Sequence, residues 1–194
     1  MLFRSHRVIL PNGHVDLPQL PQIFVIAIGK AAHAMTSGLI AILPPGTTVT
    51  GVVTAPTPPE TPVPRFEYFV GGHPIPNSDS WRSAEAILRL LATCDERSVV
   101  FFLLSGGGSA LVERPLDPET TLKDIQQVNQ ALVTCGAPIH AMNTVRRHLS
   151  AIKGGRLALA AGPATKITIA VTDVPMGNEA ALARSEERRV GKEC

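Results

Sequence analysis

The chain has 194 residues, of which 44% are hydrophobic, 4% aromatic and 18% charged, and this length suits one domain with a sizeable aliphatic core. The net charge of +2 is too small to indicate nucleic acid or a membrane surface as a partner. No apolar stretch approaches the length that a membrane-spanning helix needs.

The N-terminal part of the chain predicts a short hairpin, a buried strand and a helix. Pro11-Asn12-Gly13 is a turn signal between two short edge strands. The all-apolar run at 23–28 predicts a strand that ends at Gly29-Lys30, and a helical pattern follows to about Leu43. No acid precedes Asp16, so a mitochondrial presequence stays open as an alternative.

The next segments continue the alternation of strands and helices. Residues 49–53 predict a third strand, and the five prolines between residues 54 and 64 predict an extended connection. Residues 65–70 return to the sheet, and Asn77-Ser78-Asp79-Ser80 offers N-caps for a helix. The buried stripe of that helix consists of Ala84, Ile87, Leu88 and Leu91.

A glycine-rich loop follows the most apolar segment of the chain. The run at 99–104 predicts a strand buried on both faces, and five small residues come after it: Ser105, Gly106, Gly107, Gly108 and Ser109. Backbone N–H groups of consecutive glycines can close around an anion, and a helix starting at Ala110 would add partial positive charge. A simple turn is the alternative. Because open α/β sheets bind ligands at the carboxyl ends of their strands, we predict an anion site here.

The C-terminal part predicts two helices and a further strand. A cap at Thr120 or Thr121 begins an amphipathic helix that ends at Gly136, with its apolar stripe on Leu122, Ile125, Val128 and Leu132. A long helix is predicted from about His140 to Ala161, before a strand at 167–171. Strands alternate with helices throughout, which predicts an α/β fold with a largely parallel sheet.

Lys30 is a candidate for binding an anionic ligand. It follows a buried strand at the start of a helix, where a cation opposes the helix dipole. An anion at the same sheet edge as the glycine loop would explain that placement, and a solvated lysine is the alternative. His73, between glycines and a proline, is a candidate either to orient its loop or to touch substrate.

The predicted long helix carries a basic polar face. Spacings of three and four place its polar residues on two neighbouring stripes, Arg146, Ser150 and Lys153 on one and Asn143 and Arg147 on the other. The core-facing stripe would consist of Val145, Leu149 and Ile152. No acidic residue lies between Asp124 and Asp173 to balance this face, which favours an anionic ligand over a merely solvated surface.

The remaining signals concern metals, cysteines and motifs. Asp173 follows a predicted strand and could bind a Mg²⁺ carried by a nucleotide or cap the next turn. The three cysteines are widely spaced and odd in number, which predicts neither a disulfide framework nor a zinc site and favours a reducing, cytoplasmic setting. The sequence contains no P-loop motif, no G-x-G-x-x-G fingerprint and no G-x-S-x-G elbow.

Five segments together resemble the glycerate 2-kinase (class II glycerate kinase) family, some of whose bacterial members are labelled hydroxypyruvate reductase. They are GKAAHAM at 29–35, GGHPIPNSD at 71–79, LLSGGGSAL at 103–111, NTVRRHLSAIKGGRLA at 143–158 and TDVP at 172–175. The resemblance implies phosphorylation of D-glycerate at its 2-hydroxyl, with ATP and Mg²⁺. It also implies a Rossmann-like three-layer N-terminal domain, a smaller C-terminal domain and an active site between them.

Within that resemblance the family's catalytic lysine falls on Lys30, while its second essential cation, an arginine of the C-terminal domain, has no counterpart here. We expect Ser105, Gly106, Gly107, Gly108, Ser109, His73, Asn143, Arg146, Arg147 and Lys153 to bind substrate or phosphate, with Asp173 as the metal candidate. The family commonly has Gly-Asp where this chain has Gly177-Asn178, which puts metal binding there in doubt.

The two ends of the sequence carry further expectations. The N-terminus is shorter than the resemblance implies, and RSEERRVGKEC at 184–194 can be back-translated into a sequencing-adapter read. We therefore expect residues 1–183 to be an incomplete N-terminal domain, without kinase activity by itself, and residues 184–194 to be non-native; a charged tail is the alternative. Two other functions stay open, an NAD(P)H-dependent hydroxypyruvate reductase and a non-catalytic anion-binding domain.

Overall fold

The computed structural model describes residues 2–4, 7–10, 13–16 and 21–171. The first three of these ranges form a small antiparallel sheet of β1 (Leu2–Arg4), β2 (Arg7–Leu10) and β3 (Gly13–Asp16). The predicted pair of strands around the turn is confirmed as β2 and β3, while β1 was not predicted. Val8 of β2 is fully buried, which packs this sheet onto the body of the domain.

The central sheet has five strands, all parallel, in the spatial order β6-β5-β4-β7-β8. The strands are β4 (Gln22–Ile28), β5 (Val49–Ala55), β6 (Phe66–Val70), β7 (Ser98–Leu104) and β8 (Thr165–Ala170). Each strand lies within a few residues of its predicted position. The α/β prediction with a parallel sheet is confirmed.

Helices cover both faces of this sheet, so the described part of the chain has three layers. They are α1 (Ala32–Ile42), α2 (Ser78–Leu91), α3 (Gly108–Leu111), α4 (Leu122–Thr134), α5 (Ile139–Leu149) and α6 (Arg156–Ala160). Alternate residues of β7 enter the two cores: Phe102 packs with α2 and α6, while Phe101 packs with α1. None of the helices within the described ranges is long and apolar enough to cross a membrane.

The predicted helix starts are confirmed at two caps. The Asn77 side chain accepts a hydrogen bond from the backbone N–H of Ser80 and begins α2. Thr121 does the same for Asp124 at the start of α4. Hydrogen bonds that Thr121 donates from its hydroxyl and backbone N–H lower the pKa of the Asp124 carboxyl.

The predicted continuous helix from His140 to Ala161 is wrong. Helix α5 ends at Leu149, Ser150 has extended backbone with ψ 136°, and Gly154 and Gly155 have φ values of 68° and 86°. Two successive left-handed residues cannot continue a right-handed helix, so α6 begins as a separate element. The sequence pattern did not predict this break, because helices tolerate glycine and a glycine within a helical pattern does not by itself indicate an end.

The break also changes which side chains face the core. Val145 and Leu149, predicted to be buried, are 42% and 41% exposed, while Ile152 is buried as predicted. Ser150 and Lys153 leave the predicted polar stripe because they lie beyond the end of α5. Both are buried, and both contact Glu113.

Candidate functional site

The loops after β4 and β7 leave the sheet side by side, at the point where the strand order reverses. From β4 the chain passes through α1 to β5 on one side, and β7 pairs with the other side of β4. In open α/β sheets the crevice at such a switch point is where ligands bind. The two predicted features that follow these strands, Lys30 and the glycine loop, are therefore neighbours.

Short hydrogen bonds join the two loops. The backbone N–H of Ser105 donates to the carbonyl oxygen of Ile28 over 2.9 Å, and that of Lys30 donates to Gly106 over 3.0 Å. The N–H of Ala31 donates to the Ser105 hydroxyl over 3.0 Å. Backbone groups thus fix the position of Lys30 relative to the glycine loop.

Gly29 makes this close approach possible. Its φ is 128°, and a Cβ on it would lie 2.2 Å from Ser105 Oγ and 2.6 Å from the Ser105 carbonyl oxygen. Real Cβ atoms do not approach backbone oxygen that closely, so a side chain here would push the two loops apart. Glycine at this position is a requirement of the crevice.

We expect Gly29→Ala to destabilise the domain by about 3–5 kcal/mol, because it combines overpacking with a left-handed backbone. Gly38→Ala is the matched control: Gly38 lies in α1 with nothing within 4 Å of where its Cβ would lie, and alanine there should stabilise by about 0.5–1 kcal/mol. Urea unfolding of both variants measures the difference. Equal stability of the two variants would contradict the close packing of the loops.

Three residues meet at the mouth of the crevice. A Cβ on Gly107 would lie 3.2 Å from His73 Cδ2 and 3.7 Å from Lys30 Cε. Both Lys30 and His73 are exposed, and the Lys30 ammonium forms no ion pair with another described residue. A solvent-facing cation, an imidazole and a glycine backbone therefore share one space.

The segment that carries His73 is held by neighbouring backbone groups. The N–H of Gly71 donates to the Ala55 carbonyl at the end of β5 (3.1 Å), and the N–H of Gly72 donates to Ser80 Oγ (2.9 Å). A Cβ on Gly71 would lie 2.3 Å from the carbonyl oxygen of Leu111 in α3. The lack of a side chain on Gly71 thus lets this segment lie directly against α3.

The arrangement suits a small anion or a phosphate group. Gly107, with φ 88°, is the N-cap of α3, and successive backbone N–H groups in such a turn form a concave anion site. The flexible Lys30 side chain can reach an anion there as a point charge. Of the predicted site residues, the structure brings together Lys30, His73 and the loop at 105–108.

The other predicted site residues lie elsewhere or have other contacts. Ser109 is exposed on α3, and Asn143 is buried on α5. Arg147 donates to the Thr144 hydroxyl, and none of the contacts described for Asn143, Arg146 or Arg147 is with Lys30 or the glycine loop. Lys153, predicted as an anion-binding cation, is 3% exposed and paired with Glu113, so that prediction is corrected: its ammonium is already neutralised.

The metal prediction lies outside the described residues. Asp173 falls beyond residue 171, the last one described. Within the described ranges, no three His, Cys, Asp or Glu side chains come together as a metal site would require.

Sequence analysis missed Glu113, the partner of Lys153. Glu113 gave no signal because it follows an apolar run without a recognisable motif.

Comparisons with known proteins find a matching family and several relatives. The family model described as a domain of unknown function, DUF4147, matches residues 3–185. A D-glycerate 2-kinase from Thermotoga maritima is 38% identical over 88% of this chain and 42% of its own length. A protein from Agrobacterium vitis named as a hydroxypyruvate reductase is 39% identical over 87% of this chain and 38% of its own length.

A solved structure from Pyrococcus horikoshii OT3 superposes with a TM-score of 0.84 at 33% identity, covering 95% of this chain and 41% of that one. The fold described above is therefore shared with an experimental structure. The chain spans about two fifths of the length of the Thermotoga maritima and Agrobacterium vitis relatives.

Proposed function

Because this chain belongs to the DUF4147 family, we propose a function for the complete protein that contains the chain. We propose that this protein is a kinase that uses ATP to phosphorylate the 2-hydroxyl of D-glycerate. The observation that carries the proposal is the meeting of Lys30, His73 and Gly107 at the switch point of the sheet. One relative named D-glycerate 2-kinase and others named glycerate 2-kinase support the choice of substrate.

The residues of the crevice fit the demands of phosphoryl transfer. In this reaction the 2-hydroxyl oxygen bonds to the γ-phosphorus of ATP, the bond to the ADP oxygen breaks, and the hydroxyl proton passes to water. Positioning and charge stabilisation are most of what a protein contributes. We propose that the glycine loop holds a phosphate with its backbone N–H groups and that Lys30 neutralises charge on the transferred group.

His73 and a metal ion complete the proposed site. We propose that His73 contacts the substrate, because its ring borders the same space as Lys30 Cε. Mg²⁺ would arrive with the nucleotide, with Asp173 as the candidate ligand outside the described residues. The oxygen ligands that Mg²⁺ prefers are not clustered within the described ranges.

The test is a coupled ADP-release assay on the complete protein with D-glycerate, ATP and Mg²⁺. We expect turnover that depends on D-glycerate and yields 2-phosphoglycerate, identified by ³¹P NMR. The 194-residue chain alone should give no turnover above background, because phosphoryl transfer needs cations on several sides of the phosphates and a closed site. Absence of glycerate-dependent ADP release by the complete protein would contradict the proposal.

A second candidate function is reduction of hydroxypyruvate with NADH or NADPH. The observation that favours it is the name of the Agrobacterium vitis relative. Against it, the loop at 105–109 is not a G-x-G-x-x-G fingerprint. Incubation of the complete protein with hydroxypyruvate and NADH distinguishes the two: a fall in absorbance at the nicotinamide band would support the reductase.

We also propose a cytoplasmic location and small-molecule partners alone. Cys94 and Cys135 are free thiols in the described part of the chain, which suits a reducing compartment.

A purely anion-binding role without catalysis is the third candidate function. Saturable phosphate binding by a complete protein with neither activity would favour that role.

A further inference from the structure

The strongest unassigned feature is a buried ion pair. Glu113 and Lys153 are each 3% exposed, and the Lys153 ammonium donates to one carboxylate oxygen of Glu113. The other oxygen accepts from the Ser150 hydroxyl over 2.6 Å and from the Arg114 backbone N–H over 3.1 Å. The pair is inaccessible to a ligand, so its role lies in what it connects.

On one side the pair connects to the glycine loop. Gly107 caps α3, which ends at Leu111, and Glu113 follows two residues later. Lys153 also donates to the Val112 carbonyl over 3.3 Å, where that short helix ends. Leu111 and Val112 are buried, with exposures of 0% and 1%. The segment that joins the glycine loop to the Glu113–Lys153 pair is therefore short, and it is held in the core.

On the other side the pair connects to the turn after α5. The N–H of Leu116 donates to the Leu149 carbonyl, and the N–H of Ala151 donates to Arg114, each over 2.8 Å. These backbone bonds align residues 114–116 with residues 149–151. The segment that carries Ser150 and Lys153 is thus fastened along its length to the segment that follows α3.

A third connection leads to the His73 segment. The backbone N–H of Glu113 donates to the Ser80 carbonyl over 3.1 Å. The Ser80 hydroxyl in turn accepts from the N–H of Gly72 over 2.9 Å, next to His73. The Glu113–Lys153 pair is therefore connected to the segments that carry two of the three crevice residues, Gly107 and His73.

We infer that Glu113 and Lys153 are positioning residues that hold the glycine loop and the His73 segment in their ligand-binding arrangement. The pair does so by fixing the end of α3 against the turn that follows α5. The inference rests on the proposed function only in assuming that the loop binds phosphate. Simple burial of a compensated charge in the core is the competing explanation.

The variants that separate these explanations, made in the complete protein, are Glu113→Gln, Lys153→Met and the double variant. Each single variant leaves an uncompensated buried partner, and its Tm should fall by roughly 10 °C. The neutral double variant leaves no unpaired charge, so its Tm should return to within a few degrees of wild type. The double variant Glu67→Gln/Arg89→Met, at an exposed ion pair on β6 and α2, is the control and should change nothing.

The deciding readouts are amide hydrogen exchange of residues 105–111 and the KM for ATP. In the double variant we expect exchange at least ~10-fold faster and a KM raised ~10-fold, with kcat changed less than ~3-fold. Wild-type exchange and KM in a double variant of restored Tm would overturn the inference. Exchange is measured without substrate, so a protein that does not phosphorylate glycerate would overturn the proposed function but leave this test intact.

Ser150→Ala covers the case in which the double variant does not fold. It removes one hydrogen bond to Glu113 without creating an unpaired charge. Exchange of residues 105–111 that is ~3-fold faster supports positioning. Unchanged exchange in Ser150→Ala would count against it.

Discussion

Lys30→Ala should lower the turnover of the complete protein with ATP and D-glycerate by at least ~10²-fold, with little change in thermal stability. Removing a preorganised electrostatic group from a transferring centre typically has an effect of this size. The fold should persist because the Lys30 side chain is exposed and its structural bond, to Gly106, comes from its backbone N–H. Steady-state kinetics and a thermal melt measure the two quantities.

Lys123→Ala is the matched control, since Lys123 is an exposed lysine on α4. It should keep wild-type kinetics. Turnover of Lys30→Ala within a few-fold of wild type would show that the crevice is not where the phosphoryl group is transferred.

Gly107→Val should weaken phosphate or ATP binding on the order of 100-fold. The valine Cβ would lie 3.2 Å from His73 Cδ2 and 3.7 Å from Lys30 Cε, and the branched side chain would occupy the space that a ligand needs. It must also adopt φ near 88°, a strain of roughly 1–3 kcal/mol for a non-glycine residue. Isothermal titration calorimetry with ATP measures the affinity.

Gly136→Val separates strain from lost binding. Gly136 has φ 68° but nothing within 4 Å of its Cβ position, so its variant incurs the backbone strain alone. We expect similar destabilisation in both variants and normal affinity only in Gly136→Val. Normal ATP affinity in Gly107→Val would show that the glycine loop is a turn without a role in binding.

The strands and most helix starts could be predicted because their signals are local. The apolar run of β7 has no polar side chain at any of its central positions, and all seven of its residues are buried. The caps Asn77 and Thr121 satisfy N–H groups a few residues away, so the sequence alone contains both partners. The sequence also predicts that Lys30 lies near the glycine loop, because the carboxyl ends of parallel strands meet at the same edge of a sheet.

What could not be predicted depends on contacts distant in sequence. Glu113 and Lys153 are 40 residues apart, so a search for acids near the basic helix missed the partner that neutralises the lysine. The break after Leu149 follows from two left-handed glycines and from pairing with residues 114–116, which no helical period reveals. The closeness of His73 to Gly107 likewise depends on two segments that are distant in sequence.

The most direct test is an ATP titration of the ¹⁵N-labelled complete protein, followed through the chemical shifts of its backbone amides. Binding in the crevice predicts that the largest saturable shifts occur at residues 29–31, 72–73 and 105–109. Amides of residues 95–97, which precede β7 at the opposite edge of the parallel sheet, should stay unchanged. Saturable binding with its largest shifts outside these residues, or no binding at millimolar ATP, would contradict a phosphate site between β4 and β7.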